Sequence, residues 1–102
     1  MEANCRKPKV IRWGGEEFLI ALFNVTREEA FGISERIRRE VEEFKVFSGE
    51  QEFSCTITMG LHVYGNHEGI EESVDKADKA LYYGKRHGKN QSVWYELTEQ
   101  AE

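Results

Sequence analysis

The chain has 102 residues, which suits one small domain and is too short for two. Its formal net charge of −5 argues against a nonspecific nucleic-acid surface, which needs a basic stripe. No apolar run approaches the ~20 residues of a membrane span, and the N-terminus has no signal-peptide apolar segment.

Met1 to Lys9 is polar and basic without a period, and reads as a tail or as the cut start of something longer. Val10 to Trp13 is a short strand candidate. Gly14-Gly15 then reads as a type I′ hairpin turn, because both central positions of that turn need positive φ. A turn without side chains lets phosphates approach its backbone. Glu16 leaves that turn as a hard oxygen ligand of the kind that suits Mg²⁺, with Glu17 beside it. Taken alone, the pentapeptide reads equally well as a plain hairpin with solvated glutamates. Phe18 to Phe23 is apolar on both faces, which predicts a strand inside a sheet with neighbours at both edges.

Thr26-Arg27-Glu28-Glu29 is a capping box. Ala30, Ile33, Ile37, Val41 and Phe44 follow as one apolar helical stripe, and Glu35, Arg36, Arg39, Glu40 and Glu43 as a solvated face. Ser48 to Gln51 reads as a turn. Phe53 to Val63 alternates with period two, which predicts one long half-buried strand. Tyr64 to Glu68 reads as a loop. A second helix is predicted over Ile70 to His87, with Val74, Ala77 and Leu81 inward and Gly88 stopping it. Gln91 to Tyr95 is a last strand, and Thr98 to Glu102 a polar tail. Cys5 and Cys55 form no CxxC pair and read as reduced thiols. His62, His67 and His87 lack zinc spacing, and His62 and His87 read as surface residues. By spacing alone, Lys85 and Lys89 are cations complementing a helix C-terminus.

Three segments carry a family resemblance. Arg12-Trp13-Gly14-Gly15-Glu16-Glu17-Phe18 resembles the signature loop of the GGDEF family, the diguanylate cyclases. Thr56-Ile57-Thr58-Met59-Gly60-Leu61 resembles the strand that follows in that family. Ala77-Asp78-Lys79-Ala80-Leu81-Tyr82, with Lys85, Gly88, Lys89 and Asn90, resembles its late helix and turn. The order and separations agree from about Val10 to Tyr95.

The resemblance implies an α/β fold of the α+β sandwich kind. A mostly antiparallel central sheet would carry helices packed on it, nucleotidyl-cyclase or ferredoxin-like, with the first strand missing. Residues 1–9 would be a tail or truncated start, 10–97 the C-terminal part of a GGDEF domain, and 98–102 a polar tail. The implied activity is condensation of two GTP molecules into cyclic di-GMP with release of pyrophosphate, in bacterial second-messenger signalling. Mg²⁺ or Mn²⁺ would be the cofactor. Glu16 and Glu17 would be catalytic, Glu16 also the metal ligand, and Gly14 and Gly15 would bind substrate through their backbone. Lys85 and Lys89 would hold the terminal phosphates. The family usually has Arg at the position of Lys89, and Lys lacks its bidentate fork. Asp78 and Tyr82 are left as structural.

The implied partners are GTP, a second copy in a homodimer, and an upstream sensory or receiver domain, with no nucleic acid and no membrane contact by this segment. The location would be cytoplasmic, although upstream segments could anchor the parent to a membrane. A complete domain of this family carries a longer N-terminal half, with an Asp for both cations and an Asn and Asp for guanine. Met1 to Lys9 cannot supply them, so the chain alone is expected to be inactive. The family's product-site Arg-x-x-Asp falls on Cys5 and Pro8, so that site is expected to be absent. The alternative is a non-catalytic GTP-binding, regulatory or dimerisation module. Without the first strand, those at Phe18–Phe23 and Phe53–Val63 should close up as a parallel pair or take a strand from a second chain.

Overall fold

The computed structural model describes residues 7–65 and 67–101, the side chains of 99–101 excepted. Most of the expected N-terminal tail, Cys5, Asn66 and Glu102 lie outside the described residues. The elements are β1 (Lys9–Gly14), β2 (Glu17–Ala21), α1 (Arg27–Glu43), β3 (Val46–Ser48), β4 (Gln51–Phe53), β5 (Met59–Leu61), α2 (Ile70–Arg86), β6 (Ser92–Trp94) and α3 (Tyr95–Ala101). This is an α+β chain. It divides into two compact units, Met1–Ala30 and Phe31–Glu102.

In the first unit β1 and β2 form an antiparallel hairpin, with Val10 opposite Ile20 and Arg12 opposite Phe18. The expected interior strand is shorter, ending at Ala21, and among the described residues it pairs only with β1. Phe18 is 64% exposed. A run apolar on both faces therefore has an edge that no described strand pairs, and its pattern asks for more neighbours than the described residues supply. The start of α1 is as expected. The Glu29 amide donates to Thr26 Oγ1 at 3.0 Å and the Thr26 amide to Glu29 Oε1 at 2.8 Å. Two orphan donors are satisfied reciprocally.

In the second unit the predicted long strand is two short ones. Phe53 ends β4, residues 54–58 have no regular structure, and only Met59–Leu61 form β5. Two causes act. A β3–β4 hairpin, closed by Gly49 at φ 63 and Glu50, takes Phe53 away. The parallel partner of β5 is β6, whose three residues limit the ladder to Met59–Ser92, Gly60–Val93 and Leu61–Trp94. Strand-like alternation builds a strand only as far as a partner extends. Among the described residues the strands pair as β1-β2, β3-β4 and β5-β6, three small sheets of an α+β fold.

The core of this unit lies where α2 crosses β5 and β6. Ser73, Ala80 and Gly84 of α2 are buried, as is Val93 of β6. Small residues there let the helix approach closely. A Cβ on Gly60 would collide with the Ala77 carbonyl and the Leu81 backbone, and one on Gly84 would lie 2.8 Å from Thr58 Cγ2. The expected inward residues Val74, Ala77 and Leu81 are only half-buried beside this small-residue face.

Helix α1 departs from its predicted faces. Ile33 is partly exposed and Phe44, beyond the helix end, is 67% exposed. Ala30, Ile37 and Val41 are half-buried as expected, and polar contacts join them. Ser34 Oγ lies 3.0 Å from Ser92 Oγ, and Glu35, expected in solvent, is largely buried against Arg38. The last strand is shorter than expected, and α3 runs through Tyr95–Ala101 where a polar tail was predicted. Thr98 is buried and its hydroxyl donates to the Tyr95 carbonyl at 2.6 Å. No helix among the described residues is long and apolar enough to cross a membrane.

Candidate functional site

The hairpin tip is built one residue later than the sequence suggests. The register moves between Arg12 and Gly14, so Trp13 is an extra residue in β1 and Gly14 pairs with Glu17. The two central turn residues are consequently Gly15 and Glu16. Only Gly15 has positive φ, at 40°, so the turn is not type I′, which needs positive φ at both positions. The bulge at Trp13 is the physical reason for this correction: one added residue carries Glu16 from the flank to the tip. Glu16 is exposed there, while Glu17 begins β2 half-buried. A Cβ placed on Gly14 or Gly15 would meet nothing within 4 Å, so space for a ligand is open on both. Arg12 fixes the tip. Its Nε and Nη2 donate to the Gly15 carbonyl at 3.3 and 3.0 Å. Sequence reasoning quoted Arg12 but gave it no role; its place three residues before Gly15 was the available signal.

The second group lies at the end of α2. Lys85 is in the last helical turn and Lys89 in the turn that follows. Both are exposed, and among the described residues neither ammonium has a carboxylate partner. Gly88, Lys89 and Asn90 have φ of 118, 60 and 50°, three successive residues in a backbone region that L side chains rarely adopt. The turn is tied at several points. The Lys89 amide donates to the Gly84 carbonyl at 2.9 Å, and Gln91 Nε2 to the carbonyls of Gly84 and His87 at 3.2 and 2.9 Å. Gly14, Gly15, Glu16 and Glu17 thus stand together in the unit Met1–Ala30, and Lys85 and Lys89 together in the unit Phe31–Glu102.

Residues 2–91 match the family model described as "Diguanylate cyclase, GGDEF domain". The chain belongs to the GGDEF family. It is 39% identical over 80 residues to diguanylate cyclase A of Treponema denticola, covering 78% of this chain and 22% of that protein. It is also 39% identical over 85 residues to a diguanylate cyclase of Vibrio cholerae, covering 82% and 26% respectively. The chain therefore spans about a quarter of the length of these relatives. Among solved structures it is similar to the GGDEF domain of DgcB from Caulobacter crescentus in complex with c-di-GMP. The TM-score is 0.81 at 26% identity, over 87% of this chain and 52% of that one. It is also similar to the diguanylate cyclase SiaD of Pseudomonas aeruginosa, in complex with its activator SiaC. There the TM-score is 0.76 at 34% identity, over 91% of this chain and 36% of that one.

The GGDEF signature can be tested against a magnesium ion by its donors. Glu16 offers carboxylate oxygens, the right donor type, at an open turn. Among the described residues, however, no group of three or more His, Cys, Asp or Glu could hold a metal ion. The donor set fits a cation that arrives with nucleotide phosphates, which Mg²⁺ commonly does, and does not fit a closed protein cage.

Away from the GGDEF signature, the second unit contains a buried polar cluster. His62, expected at the surface, has a side chain only 8% exposed. Its Nε2 lies 2.7 Å from Glu68 Oε2, and Lys76 Nζ donates to Glu68 Oε1 at 2.9 Å. The Gly65 amide donates to the same carboxylate at 3.2 Å. Lys76 first, then His62, pull the Glu68 carboxyl down to about 2, against the opposing effect of burial. Glu68 in turn raises the Lys76 ammonium. The cluster closes the loop between β5 and α2, a structural task that accounts for a buried His in this chain.

Proposed function

We propose that this chain is the portion of a diguanylate cyclase domain that presents the signature turn and two phosphate-holding lysines, and that the whole enzyme condenses two GTP molecules into cyclic di-GMP. The observation that carries this reading is the Gly14-Gly15-Glu16-Glu17-Phe18 turn, with Glu16 exposed at its tip beside open backbone, in a chain of the GGDEF family. In the reaction the 3′-oxygen of one GTP bonds to the α-phosphorus of the other, its proton leaves, and the bond to the β-phosphate oxygen breaks to release pyrophosphate. Repeating the step in the opposite sense closes the ring. Such chemistry rests on positioning and charge neutralisation.

The roles follow from residue chemistry. Gly14 and Gly15 let nucleotide phosphates lie against the backbone, and Arg12 holds the turn that does so. Glu16 supplies a carboxylate to Mg²⁺ or Mn²⁺ and takes part in accepting the hydroxyl proton, with Glu17 the second signature carboxylate. A bound cation would neutralise the phosphates and acidify the attacking hydroxyl. Lys85 and Lys89, without a carboxylate partner among the described residues, carry positive charge suited to the terminal phosphates and the leaving pyrophosphate. A second copy of the domain would bring the second GTP, an upstream sensory or receiver domain would regulate the pairing, and a GTP-dependent reaction implies a cytoplasmic location.

The isolated chain is proposed to be inactive, because its carboxylates cannot by themselves complete the coordination of two Mg²⁺ ions, which favour octahedral oxygen sets. The lack of a three-ligand cluster among the described residues also favours a second reading, a non-catalytic GTP-binding or dimerisation module. One experiment separates them. Incubated with GTP and Mg²⁺, the chain alone should give no cyclic di-GMP. Placed as the corresponding segment of the Vibrio cholerae relative it should support turnover, and Glu16→Gln should then lower kcat by ~100-fold, as loss of an electrostatic element does. An inactive chimaera that still folds and binds GTP would favour the module, and near-normal turnover in the variant would remove Glu16 from the site.

A further inference from the structure

We propose that Arg38, acting through Asn90, is a positioning residue that fixes the turn displaying Lys89. The inference deepens the reading of Lys89 as a phosphate-holding group and rests on it. It starts from the backbone. Lys89 and Asn90 both occupy the left-handed region, at φ 60 and 50°, directly after Gly88 at 118°. L-residues avoid that region, and a run of them persists only where the surroundings over-determine it.

Those surroundings are visible and they converge on Asn90. Its amide donates to Thr58 Oγ1 at 3.0 Å, its Oδ1 accepts from Arg38 Nη1 at 2.8 Å, and its Nδ2 donates to Glu42 Oε2 at 3.1 Å. Arg38 is itself a fixed post. Its Nε and Nη2 donate to the two oxygens of Glu35 at 2.9 and 2.8 Å, and its side chain is only 13% exposed. Glu35 and Glu42 therefore aim one guanidinium, and its Nη1, which also lies 3.4 Å from Glu42 Oε1, grips the residue after Lys89. On the other side, Lys89 N and Gln91 Nε2 bind the carbonyl of Gly84.

Every one of these bonds uses a backbone group or a neighbour, and none uses the Lys89 ammonium. Were the turn only a helix stop, Gly at position 89 would adopt φ 60° with less strain. The network instead holds a cationic side chain outward from a backbone it does not favour, which is what a phosphate-holding group needs. Arg suits the post because its planar fork serves Glu35 with two donors and Asn90 with a third; a Lys could not satisfy both.

The test uses the labelled 102-residue chain, titrated with inorganic pyrophosphate at low salt. It is followed by the amide signals of residues 84–91 and by the HN–Hα couplings of Lys89 and Asn90, which report φ. Saturable binding is expected, and Lys89→Ala should weaken it. Arg38→Ala should shift both couplings and weaken pyrophosphate by about 3- to 10-fold, with no additional loss when combined with Lys89→Ala, since residues acting through one another are non-additive. Arg38→Lys should fall between. Unchanged couplings and affinity in Arg38→Ala, while Lys89→Ala binds weakly, would overturn the positioning role and leave the phosphate reading standing. Full additivity of the two losses would also overturn it. No pyrophosphate binding by the unaltered chain, or none lost in Lys89→Ala, would overturn the phosphate reading and this inference together. Should Arg38→Ala fail to fold, Asn90→Gly decides: it tolerates the same φ and removes only the side chain Arg38 grips. Retained affinity there overturns the proposal.

Discussion

The glycines of the hairpin tip and those where α2 packs on β5 and β6 have opposite surroundings. At Gly14 and Gly15 an added Cβ meets nothing, whereas at Gly60 it meets the backbone of Ala77 and Leu81. The first pair leaves room that no other described residue fills. The second is absence of a side chain required by packing. The same residue type therefore stands at an open turn in one unit and at a close helix–strand contact in the other, and substitution separates the two.

The largest effect is expected at Gly60. The atoms in the way are backbone, so they cannot turn aside, and α2 must lift from β5. Gly60→Ala should cost ~3 kcal/mol, the upper part of the overpacking range. Gly84→Ala should cost ~1 kcal/mol, because its nearest obstacles are methyl groups, Thr58 Cγ2 at 2.8 Å and Val93 Cγ2 at 3.1 Å. Denaturant midpoints at constant m would measure both. Equal losses at the two positions would mean that α2 yields more readily than its contacts imply.

The next effect sharpens how the second unit is held by polar groups as well as by small residues. Glu68 has a folded-state carboxyl near 2, below its ordinary 4.5. A depressed acid contributes stability that is complete above the unfolded value and is lost as pH falls towards the folded one. Stability should therefore drop between about pH 4.5 and about pH 2. Glu68→Gln should flatten that limb when denaturant midpoints are measured from pH 6 downward. An unaltered acid limb would move the effect to other carboxylates.

These contrasts also explain how much was legible beforehand. The capping box and the second helix are local patterns, and they stand where they were read. Gly60 was visible as a member of Thr56–Leu61, yet its reason lies in Ala77 and Leu81, far along the chain in a helix. The long strand failed because alternation describes faces and says nothing of how far a partner extends. The turn was misplaced because a bulge at Trp13 has no composition of its own. Arg38 belonged to neither predicted face of α1, although Glu35, Arg38 and Glu42 have helical spacing that could have marked it. His62 looked like a surface residue because its partners, Glu68 and Lys76, come together only when the loop closes.

A smaller effect is expected in the first unit, at the start of α1. Thr26→Ala removes the acceptor of the Glu29 amide and leaves Glu29 without its reciprocal anchor. The loss should be ~1 kcal/mol, typical of an N-cap. Thr26→Ser should recover most of it, since the hydroxyl is what the amide needs. Amide exchange over residues 27–31 would report the fraying.

Gly14→Ala should have the smallest effect on stability and thereby break the comparison most cleanly. Gly14 is outside the positive-φ region and nothing lies within 4 Å of the added methyl. The change should stay within ~0.5 kcal/mol, as for exposed positions without special roles. Reduced freedom of the unfolded chain could even make it slightly favourable. If phosphates lie against this backbone, however, the same methyl occupies their space. The variant should then melt like the unaltered chain but bind GTP more weakly, while Gly60→Ala should show the reverse weighting, large in stability and secondary in binding. Undiminished GTP binding by a stable Gly14→Ala would mean that the open face of the tip is not where the nucleotide rests.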